Sequence, residues 1–231
     1  MQNNLKPTPK EVEQAIIDRD RKDAEIDKSN RSELIKHGLK NIQPKKIIKI
    51  DTGKVIGVQN VVDLIKKEIT PGDKIISIEG ESGCGKSATV RVLSENLGAT
   101  IVSASEVFRY LTFTQLNGQA EDINKILSSL GYHSLNGKTY LFDNKINVTK
   151  DLHSQLHTHQ VDIAVAVFAS KNQVAVLNFL NKEIERLSER PGAKLILEGR
   201  AHSLDYLPCD LRVKLVADIN IRVKRRLEQE R

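Results

Sequence analysis

Hydrophobic and polar residues follow two different periods along this chain, and together they predict an α/β protein. Five short runs are mostly aliphatic, as in strands that are buried on both faces of a sheet; they span residues 46–50, 74–79, 100–102, 194–198 and 212–217. Elsewhere hydrophobic residues recur at helical spacing. In residues 58–69 this spacing places one set on a single helical face: Val58, Val61, Val62, Ile65 and Ile69. Strands and helices that alternate in this way favour a parallel sheet with helices on both faces.

Weaker patterns complete the predicted order of elements. Further helices are predicted over residues 8–31, from residue 86 to about 97, at 106–117 and over 154–189. Residues 132–149 alternate around Asn136-Gly137, a residue pair that favours a two-residue turn, so they predict a β-hairpin insert. Residues 70–73, Thr-Pro-Gly-Asp, form the strongest break in the sequence and predict a connection between two elements.

A glycine-rich loop follows the second predicted strand. Residues 80–87 (GESGCGKS) fit G-x-x-x-x-G-K-[S/T] between a strand and a helix, the context that makes this motif a phosphate-binding loop. Its glycines let successive backbone N–H groups turn inward, toward the positive end of the following helix. We expect Lys86 to reach the β- and γ-phosphates of a nucleoside triphosphate and Ser87 to bind Mg²⁺. The predicted nucleotide-binding residues are Gly80, Glu81, Ser82, Gly83, Cys84, Gly85, Lys86, Ser87 and Ala88.

Composition narrows the classes of function. The net charge is +6, but basic and acidic residues are interspersed and aromatic residues make up only 4% of the chain, so a nucleic-acid partner is not expected. A pocket for phosphates accounts for the basic excess equally well. Uninterrupted hydrophobic runs fall short of the roughly 18–20 residues of a membrane span, and the N-terminus lacks a hydrophobic signal core, so we expect a cytoplasmic protein without a membrane partner. Two cysteines do not make a disulfide framework.

From Ile75 onward the chain resembles cytidylate kinase, a family of nucleoside monophosphate kinases. The resemblance is carried by the loop region ISIEGESGCGKSATVRVLSENLG (76–98), by IVSASEVFR (101–109), by the hairpin segment (132–149), by HTHQVDIAVAVFASKNQV (157–174) and by LILEGRA (195–201). These segments occur in the family's order. The match stops at RVKRRLEQER (222–231), where the mobile lid of the family begins.

The remainder of the family pattern stands at the front of this chain. AIIDRDRKDAEIDKSNR (15–31) resembles the lid, KIIKIDTGKV (46–55) the last strand and VQNVVDLIKKEI (58–69) the closing helix. Every element is present once but in rotated order, as in a circular permutation. Permutation is tolerated where the native termini lie close together and the new ends fall in an exposed segment such as a lid. The alternative is a separate N-terminal helical domain followed by a truncated kinase.

The resemblance implies one circularly permuted P-loop kinase domain over residues 1–231, with a five-stranded parallel sheet, a hairpin insert and a mobile lid. The predicted parts are the lid and its connection (1–45), the last strand and helix (46–69), the linker (70–73), the core with the phosphate loop (74–104), the monophosphate-binding region with its hairpin (105–190, 132–149), and the core with the lid start (191–231). We expect a monomer.

The same resemblance implies the reaction and its residues. The family transfers a phosphoryl group from ATP to a nucleoside monophosphate with Mg²⁺, and we expect CMP or dCMP, with UMP also possible. Catalytic roles fall on Lys86, Arg200 and Arg19, and Glu198 would hold Mg²⁺ through water. The expected monophosphate ligands are Arg109, Arg200, Asp23 and Arg31. Arg31 is preferred as the second lid arginine because an ungapped reading would put that role on Ile26.

The positions that read the base in the family disagree with this chain. They fall on Ala166, Ala175 and Ala201, which have no side-chain donor or acceptor. Either the alignment slips at these positions, or base choice is altered or loosened. Two alternative functions stay open: a P-loop protein that binds nucleotide without phosphorylating a monophosphate, and a small-molecule kinase with another acceptor. A metal site at His153, His157 and His159 is not favoured, because no carboxylate or cysteine at useful spacing completes it.

Overall fold

The computed structural model describes residues 7–118, 122–135 and 138–229, and within these residues the strands form two sheets. The strands are β1 (Lys46–Asp51), β2 (Ile75–Gly80), β3 (Thr100–Ser103), β4 (Leu130–Leu135), β5 (Lys138–Asp143), β6 (Ile146–Asn147), β7 (Leu195–Gly199) and β8 (Leu211–Val216). The central sheet has the order β1-β8-β2-β7-β3, and every pair in it is parallel. This confirms the five predicted strands and their parallel arrangement.

Helices cover both faces of the central sheet. They are α1 (Pro9–Lys36), α2 (Val58–Glu68), α3 (Lys86–Leu97), α4 (Ala104–Leu116), α5 (Ile123–Ser129), α6 (Val148–Asp151), α7 (His153–Leu156), α8 (His159–Ser188), α9 (Ala201–Leu204) and α10 (Ile219–Gln229). The predicted helix at 154–189 is interrupted after Leu156, because Thr158 accepts a hydrogen bond from Val161 N–H and starts α8 anew. Helix α5 was not anticipated from the sequence.

The core lies on both sides of the sheet, as the aliphatic runs predict. On β7, Leu195 and Leu197 pack into a cluster with α4 and α8, whereas Ile196 points to a second cluster formed with α2 and α3. All three side chains are at most 1% exposed. Strands that are covered on both faces have no polar alternation, which explains why these runs are continuously hydrophobic.

The N-terminal third is part of the same sheet. Strand β1 pairs with β8 in register from Lys46–Leu211 to Asp51–Val216, and this makes it an edge strand. Helix α2 buries Val61, Val62 and Ile65 in the cluster that also holds β2 and α3. Both features agree with what the permuted order predicts for residues 46–69.

Helix α1 lies beside the last helix of the chain. Val12 and Ile16 pack on Val223 of α10, and farther along α1 Ile26 enters the core on the other side of the sheet. The chain ends, Met1 and Arg231, were predicted to emerge together from the lid; they lie outside the described residues, as does the predicted Asn136-Gly137 turn.

Helix α8 is the one described helix that is long and apolar enough to cross a membrane by length and composition. In the structure it is a core helix, which packs against α4 and α1. Its buried residues include Phe168, Leu177 and Ile184. Ile163 and Val167, in contrast, are more than half exposed.

Candidate active site

The phosphate loop connects β2 to α3 at the carboxyl edge of the sheet, and glycines are required at two of its positions. Gly83 has φ +79°, and a Cβ there would lie 2.9 Å from the carbonyl oxygen of Arg222. At Gly80 a Cβ would lie 2.5 Å from the carbonyl oxygen of Leu215. The loop thus runs in direct contact with β8 and α10, which only glycine permits. Cys84 is fully buried beneath it and acts as a small core residue.

Lys86 and Ser87 occupy the positions that the motif predicts. Lys86 Nζ donates to the carbonyl oxygens of Gly80 at 2.6 Å and Glu81 at 3.2 Å, so its ammonium lies across the mouth of the loop. Ser87 Oγ donates to Glu198 Oε1 at 2.9 Å, which brings together a hydroxyl and a carboxylate from α3 and β7. Oxygen ligands of these two kinds are those that Mg²⁺ prefers.

Asp162, in the first turn of α8, gathers three arginines from three other helices. Its carboxylate accepts a hydrogen bond from Arg109 Nη2 at 2.5 Å, and lies 3.3 Å from Arg19 Nη1 and 3.6 Å from Arg226 Nη2. Burial opposes ionisation of Asp162, but the charge and hydrogen bond of Arg109 outweigh it and lower the pKa of the carboxyl. Neither Asp162 nor Arg226 was singled out from the sequence, because each alone is an ordinary helical charge.

Arg200, which follows β7, is held by two carboxylates of α1. Its Nη1 lies 3.0 Å from Asp23 Oδ2 and 3.6 Å from Asp20 Oδ1. Both oxygens are buried and lack a hydrogen bond of acceptable geometry. The pairing brings the predicted residues Arg200 and Asp23 together, and it shows that α1 reaches the phosphate loop region.

The polar face of α1 explains how one helix serves both core and site. Its inward stripe carries hydrophobic residues near the two ends, at Val12, Ile16 and Leu34, but charged ones in the middle, at Arg19 and Asp23. A helical stripe is identified by hydrophobic residues at this spacing, so charges within it weaken the pattern. The charged section is the part that faces the site.

Cations in this site are buried and lie close to one another. Burial, together with the charges of Arg200 and Arg109, lowers the pKa of Arg19 to about 10. Burial and the charge of Arg200 also lower the pKa of Lys86. Depressed pKa values mean that the charged forms of these groups are poorly compensated by the protein. A polyanionic ligand beside Lys86 and Arg19 would stabilise their charged forms.

Two connected cavities surround these cations. The larger, about 440 Å³, lies between α1, α4 and α8 and is mostly apolar, with Phe108, Ile163 and Ala166 among its lining residues. The other, about 370 Å³, contains the phosphate loop and extends toward the hairpin, past Tyr132 and Thr149. Arg19, Arg109 and Arg200 are among the residues that line both cavities.

Three of the predicted positions are placed away from these cavities. Arg31 is exposed and lines neither of them. It lies twelve residues beyond Arg19 on the straight run of α1, about 18 Å along the helix axis, so the insertion assumed for it does not bring it to the site. Of the three alanines, Ala166 lines the larger cavity, whereas Ala175 packs against the core and Ala201 is exposed.

Glu106 is a cavity residue that the sequence did not reveal. It lies in the first turn of α4 and lines the cavity of the phosphate loop, where burial, with a contribution from the charge of Glu198, raises the pKa of its carboxyl to about 7. A glutamate in the first turn of a helix is also a common partner of the helix dipole, so its position carried no functional signal.

The three histidines do not form a metal centre. The rings of His153 and His157 stand 4.6 Å apart, and burial, together with the charge of Arg109, lowers the pKa of His157 to about 4. Among the residues that the structure describes, no group of three or more potential His, Cys, Asp or Glu ligands is present. His157 faces the cavity of the phosphate loop instead.

Comparison with known proteins gives one consistent result. The family model described as cytidylate kinase matches residues 76–231. Similar curated proteins include the cytidylate kinases of Lactococcus lactis subsp. cremoris (strain SK11), 27% identical over 163 residues (67% of this chain and 69% of the relative), and of Borrelia hermsii (strain HS1 / DAH), 28% identical over 157 residues (65% and 68%). That of Streptococcus equi subsp. zooepidemicus (strain MGCS10565) is 28% identical over 160 residues (67% and 69%).

The match begins at β2 and includes the phosphate loop, the hairpin, α8 and the strand that precedes Arg200. Over the same residues the structure has the phosphate loop, four of the five strands of the parallel sheet, and Lys86, Arg109 and Arg200. The resemblance to cytidylate kinase drawn from the segments after Ile75 is thereby confirmed. On this combined evidence, the chain belongs to the cytidylate kinase family.

Proposed function

We propose that this chain is an ATP-dependent nucleoside monophosphate kinase that acts on CMP or dCMP. The observation that carries the proposal is the convergence of Lys86, Arg19, Arg109 and Arg200 beside the phosphate loop, where burial and neighbouring cations lower the pKa of Arg19 and Lys86. Transfer of a phosphoryl group requires two polyanions to be held close together while their charge is neutralised. A buried cationic cluster between two cavities fits that requirement.

The predicted residues that line the cavities have roles that their positions support. Lys86 would offset the charge that develops on the β- and γ-phosphate oxygens, and Arg200 and Arg19 would stabilise the transferred group. Arg109 would bind the acceptor phosphate in exchange for Asp162, and Asp23 would keep Arg200 in place. Residues 80–88 would enclose the ATP phosphates through their backbone N–H groups. Because Arg31 lies away from both cavities, we give it no role.

The donor set at the start of α3 fits Mg²⁺. Ser87 Oγ and Glu198 Oε1 lie 2.9 Å apart, and both are hard oxygen ligands beside the phosphate loop. Ser87 would bind the ion directly and Glu198 through water. When bound, Mg²⁺ neutralises phosphate charge and helps to align the reacting groups.

We also propose that residues 1–69 complete the kinase fold as its lid, edge strand and closing helix, in circularly permuted order. Support comes from β1 in the same sheet as the phosphate-loop strand, from α2 in the core beneath it, and from α1 against both α10 and the cavities. The predicted boundaries at residues 45, 69 and 73 then mark parts of one domain. A cytoplasmic monomer is the form that we expect for this enzyme.

Selectivity for the base is expected to be weak. The larger cavity has Ala166 and Ile163 where an acceptor base would lie, and its lining is mostly apolar. Discrimination by factors of 10⁴ or more requires buried hydrogen-bonding groups that a wrong ligand leaves unpaired. Because Ala166 offers the base no side-chain hydrogen bond there, we expect CMP and UMP to be used within about tenfold of each other.

The proposal is tested by measuring ADP release in a coupled assay over a panel of ribo- and deoxyribonucleoside monophosphates. We expect turnover with CMP or dCMP, and with UMP at a comparable kcat/KM. A thousandfold preference for CMP would contradict the loosened base site. ATP binding without ADP release on any monophosphate would instead favour the nucleotide-binding alternative, to which the lost base-reading side chains point.

A further inference from the structure

The outer side of the phosphate loop is held by Arg222 of α10. Its Nε donates to the carbonyl oxygen of Ser82 at 2.7 Å, and its Nη1 donates to Glu81 Oε2 at 2.6 Å. The side chain is only 6% exposed. Gly83 lies against the backbone of the same residue, so loop and helix are in contact at both main chain and side chain. Because the Ser82 carbonyl is held on the outer side of the loop, the N–H groups of the loop can face the opposite, inner side.

The third corner of the same guanidinium reaches the lid helix. Arg222 Nη2 donates to Asp20 Oδ2 at 2.6 Å, and the other oxygen of Asp20 lies 3.6 Å from Arg200 Nη1. One side chain thus connects the loop, the N-terminal helix and, through Asp20, the arginine that follows β7. A guanidinium is planar and has five N–H donors in fixed directions. Arg222 can therefore bind its three acceptors at once only when the phosphate loop and α1 are both positioned as they are here.

Arg225, one turn along α10, provides a contrast. Its Nη1 donates to Thr52 Oγ1 at 2.9 Å and to the carbonyl oxygen of Gly83 at 3.2 Å, and its Nη2 donates to the carbonyl oxygen of Thr52. Thr52 Oγ1 in turn donates to the carbonyl oxygen of Cys84. These bonds secure the loop to the end of β1 and do not include α1. Arg225 therefore stabilises the conformation of the loop alone, whereas Arg222 connects the loop to the lid helix α1.

We propose that Arg222 is a positioning residue that couples the lid helix α1 to the phosphate loop. When Asp20 is in place, the guanidinium of Arg222 is held by all three partners and keeps the Ser82 carbonyl on the outer side of the loop. When α1 moves away, the guanidinium loses its bond to Asp20. Nucleotide bound in the loop then favours the lid position seen here, and the lid position favours nucleotide binding. The expected effect of Arg222 on turnover rests on the proposed kinase function. The expected effects on ATP binding and on the position of α1 do not.

The test uses the full chain with Arg222→Met, Asp20→Ala and the double variant, and with Lys224→Met as a matched control on the exposed side of α10. Affinity for a fluorescent ATP analogue is measured without acceptor. Cleavage of α1 by a protease is timed with and without ATP, and kcat is measured with CMP. The first two readouts do not require phosphoryl transfer, so they stay informative even if no monophosphate is phosphorylated, which would overturn the proposed function alone.

We expect Arg222→Met to weaken binding of the ATP analogue by at least tenfold, and Asp20→Ala by less than threefold. ATP should slow cleavage of α1 several-fold in the wild type and in Lys224→Met, but less than twofold in the other variants. In kcat, Asp20→Ala should lose about tenfold, and the double variant should be no worse than Arg222→Met, because both act through one connection.

Two results would overturn the inference: unchanged affinity for the ATP analogue in Arg222→Met, or losses in the two single variants that multiply in the double variant. If Arg222→Met does not fold, Arg222→Lys replaces it. A lysine ammonium carries its three donors on one nitrogen, so it cannot span the separate acceptors that Nε, Nη1 and Nη2 of Arg222 reach, and the ATP protection of α1 should still be lost in Arg222→Lys. Full protection in Arg222→Lys would contradict the role of the guanidinium fork.

Discussion

Residues 76–229 and residues 7–69 contribute to one site in different ways. The first region matches the family model and carries the phosphate loop, Glu198 and Arg200 on rigid strand ends. The second lies outside that match, yet it provides the edge strand β1, the core helix α2 and the cavity wall α1. The difference shows that the family match covers the phosphate loop but leaves out residues that line the cavities beside it.

The two regions also differ in the interactions that hold them in the fold. Strands β2, β7 and β8 are buried on both faces, whereas α1 buries a few hydrophobic residues and contacts the site mainly through ion pairs of Arg19, Asp20 and Asp23. Helices with few buried apolar contacts open locally at lower free energy than core strands do. Within the second region, α2 buries Val61, Val62 and Ile65 in the core, whereas α1 combines buried hydrophobic residues with the ion pairs that face the cavities.

The largest expected effect is in the matched region. Lys86→Ala should lower kcat by about 10³-fold or more while the fold is retained, because the ammonium offsets charge that builds up during transfer. Steady-state turnover with CMP measures this, and Lys67→Ala on the exposed face of α2 is the control. A variant that keeps more than a tenth of wild-type turnover would exclude the assigned role.

The next prediction tests whether the N-terminal third shares the core. Ile65 is fully buried beneath β2, so Ile65→Ala should lower the free energy of unfolding by about 2–4 kcal/mol, while Leu64→Ala, at a site 38% exposed, should change it by less than about 1 kcal/mol. Urea titration should give one transition for the whole chain. Two separate transitions, with only one displaced by Ile65→Ala, would favour an independent N-terminal domain.

Arg19 tests the contribution of α1 to the chemistry. Arg19→Met should lower kcat/KM for the monophosphate by about 30-fold, since one charged contact to phosphate is worth about 2 kcal/mol. Arg21→Met is the matched control, because Arg21 is exposed and pairs only with the neighbouring Asp18 among the described ion pairs. Equal activity of Arg19→Met and Arg21→Met would show that α1 does not contribute to the active site through Arg19.

The smallest effect concerns Glu106. Its carboxyl has a pKa raised to about 7 in the folded state, so between its unfolded value and pH 7 the folded protein binds more protons than the unfolded chain does, and the free energy of unfolding falls as the pH rises through that window. Relative to Glu106→Gln, the wild type should lose about 1 kcal/mol between pH 6 and pH 8. Parallel pH profiles of the two proteins would show that Glu106 is not perturbed.

Sequence reasoning identified the sheet and the loop because their signals are local. The aliphatic runs of β2 and β7 and the glycine pattern at 80–87 follow from burial on both faces and from backbone torsion, and both are visible in short segments. Arg222 and Asp162 escaped notice because their roles depend on partners more than fifty residues away. Arg31 was assigned to the site because the segment Ser29-Asn30-Arg31 resembles the end of the family's lid. The structure has Arg31 exposed and outside both cavities, about 18 Å along α1 from Arg19.

The base-reading positions show the same limit. Alignment by segments placed Ala166, Ala175 and Ala201 at the base, but only Ala166 lines the larger cavity. A helix turns 100° per residue, so residues 166 and 175, nine positions apart on α8, lie about 180° apart on opposite faces, and packing decides which of them meets the cavity. Spacing in the sequence cannot resolve that choice.

The central claim, that residues 1–69 complete one permuted kinase fold, is tested most directly by rotating the gene. Residue 231 is joined to residue 1 by a short flexible linker, and the chain is opened between Thr70 and Pro71, where the connection is exposed. We predict a folded protein whose kcat/KM for CMP is within about tenfold of the parent chain. A rotated protein that does not fold, or that folds but loses more than 99% of the parent activity, would contradict the account.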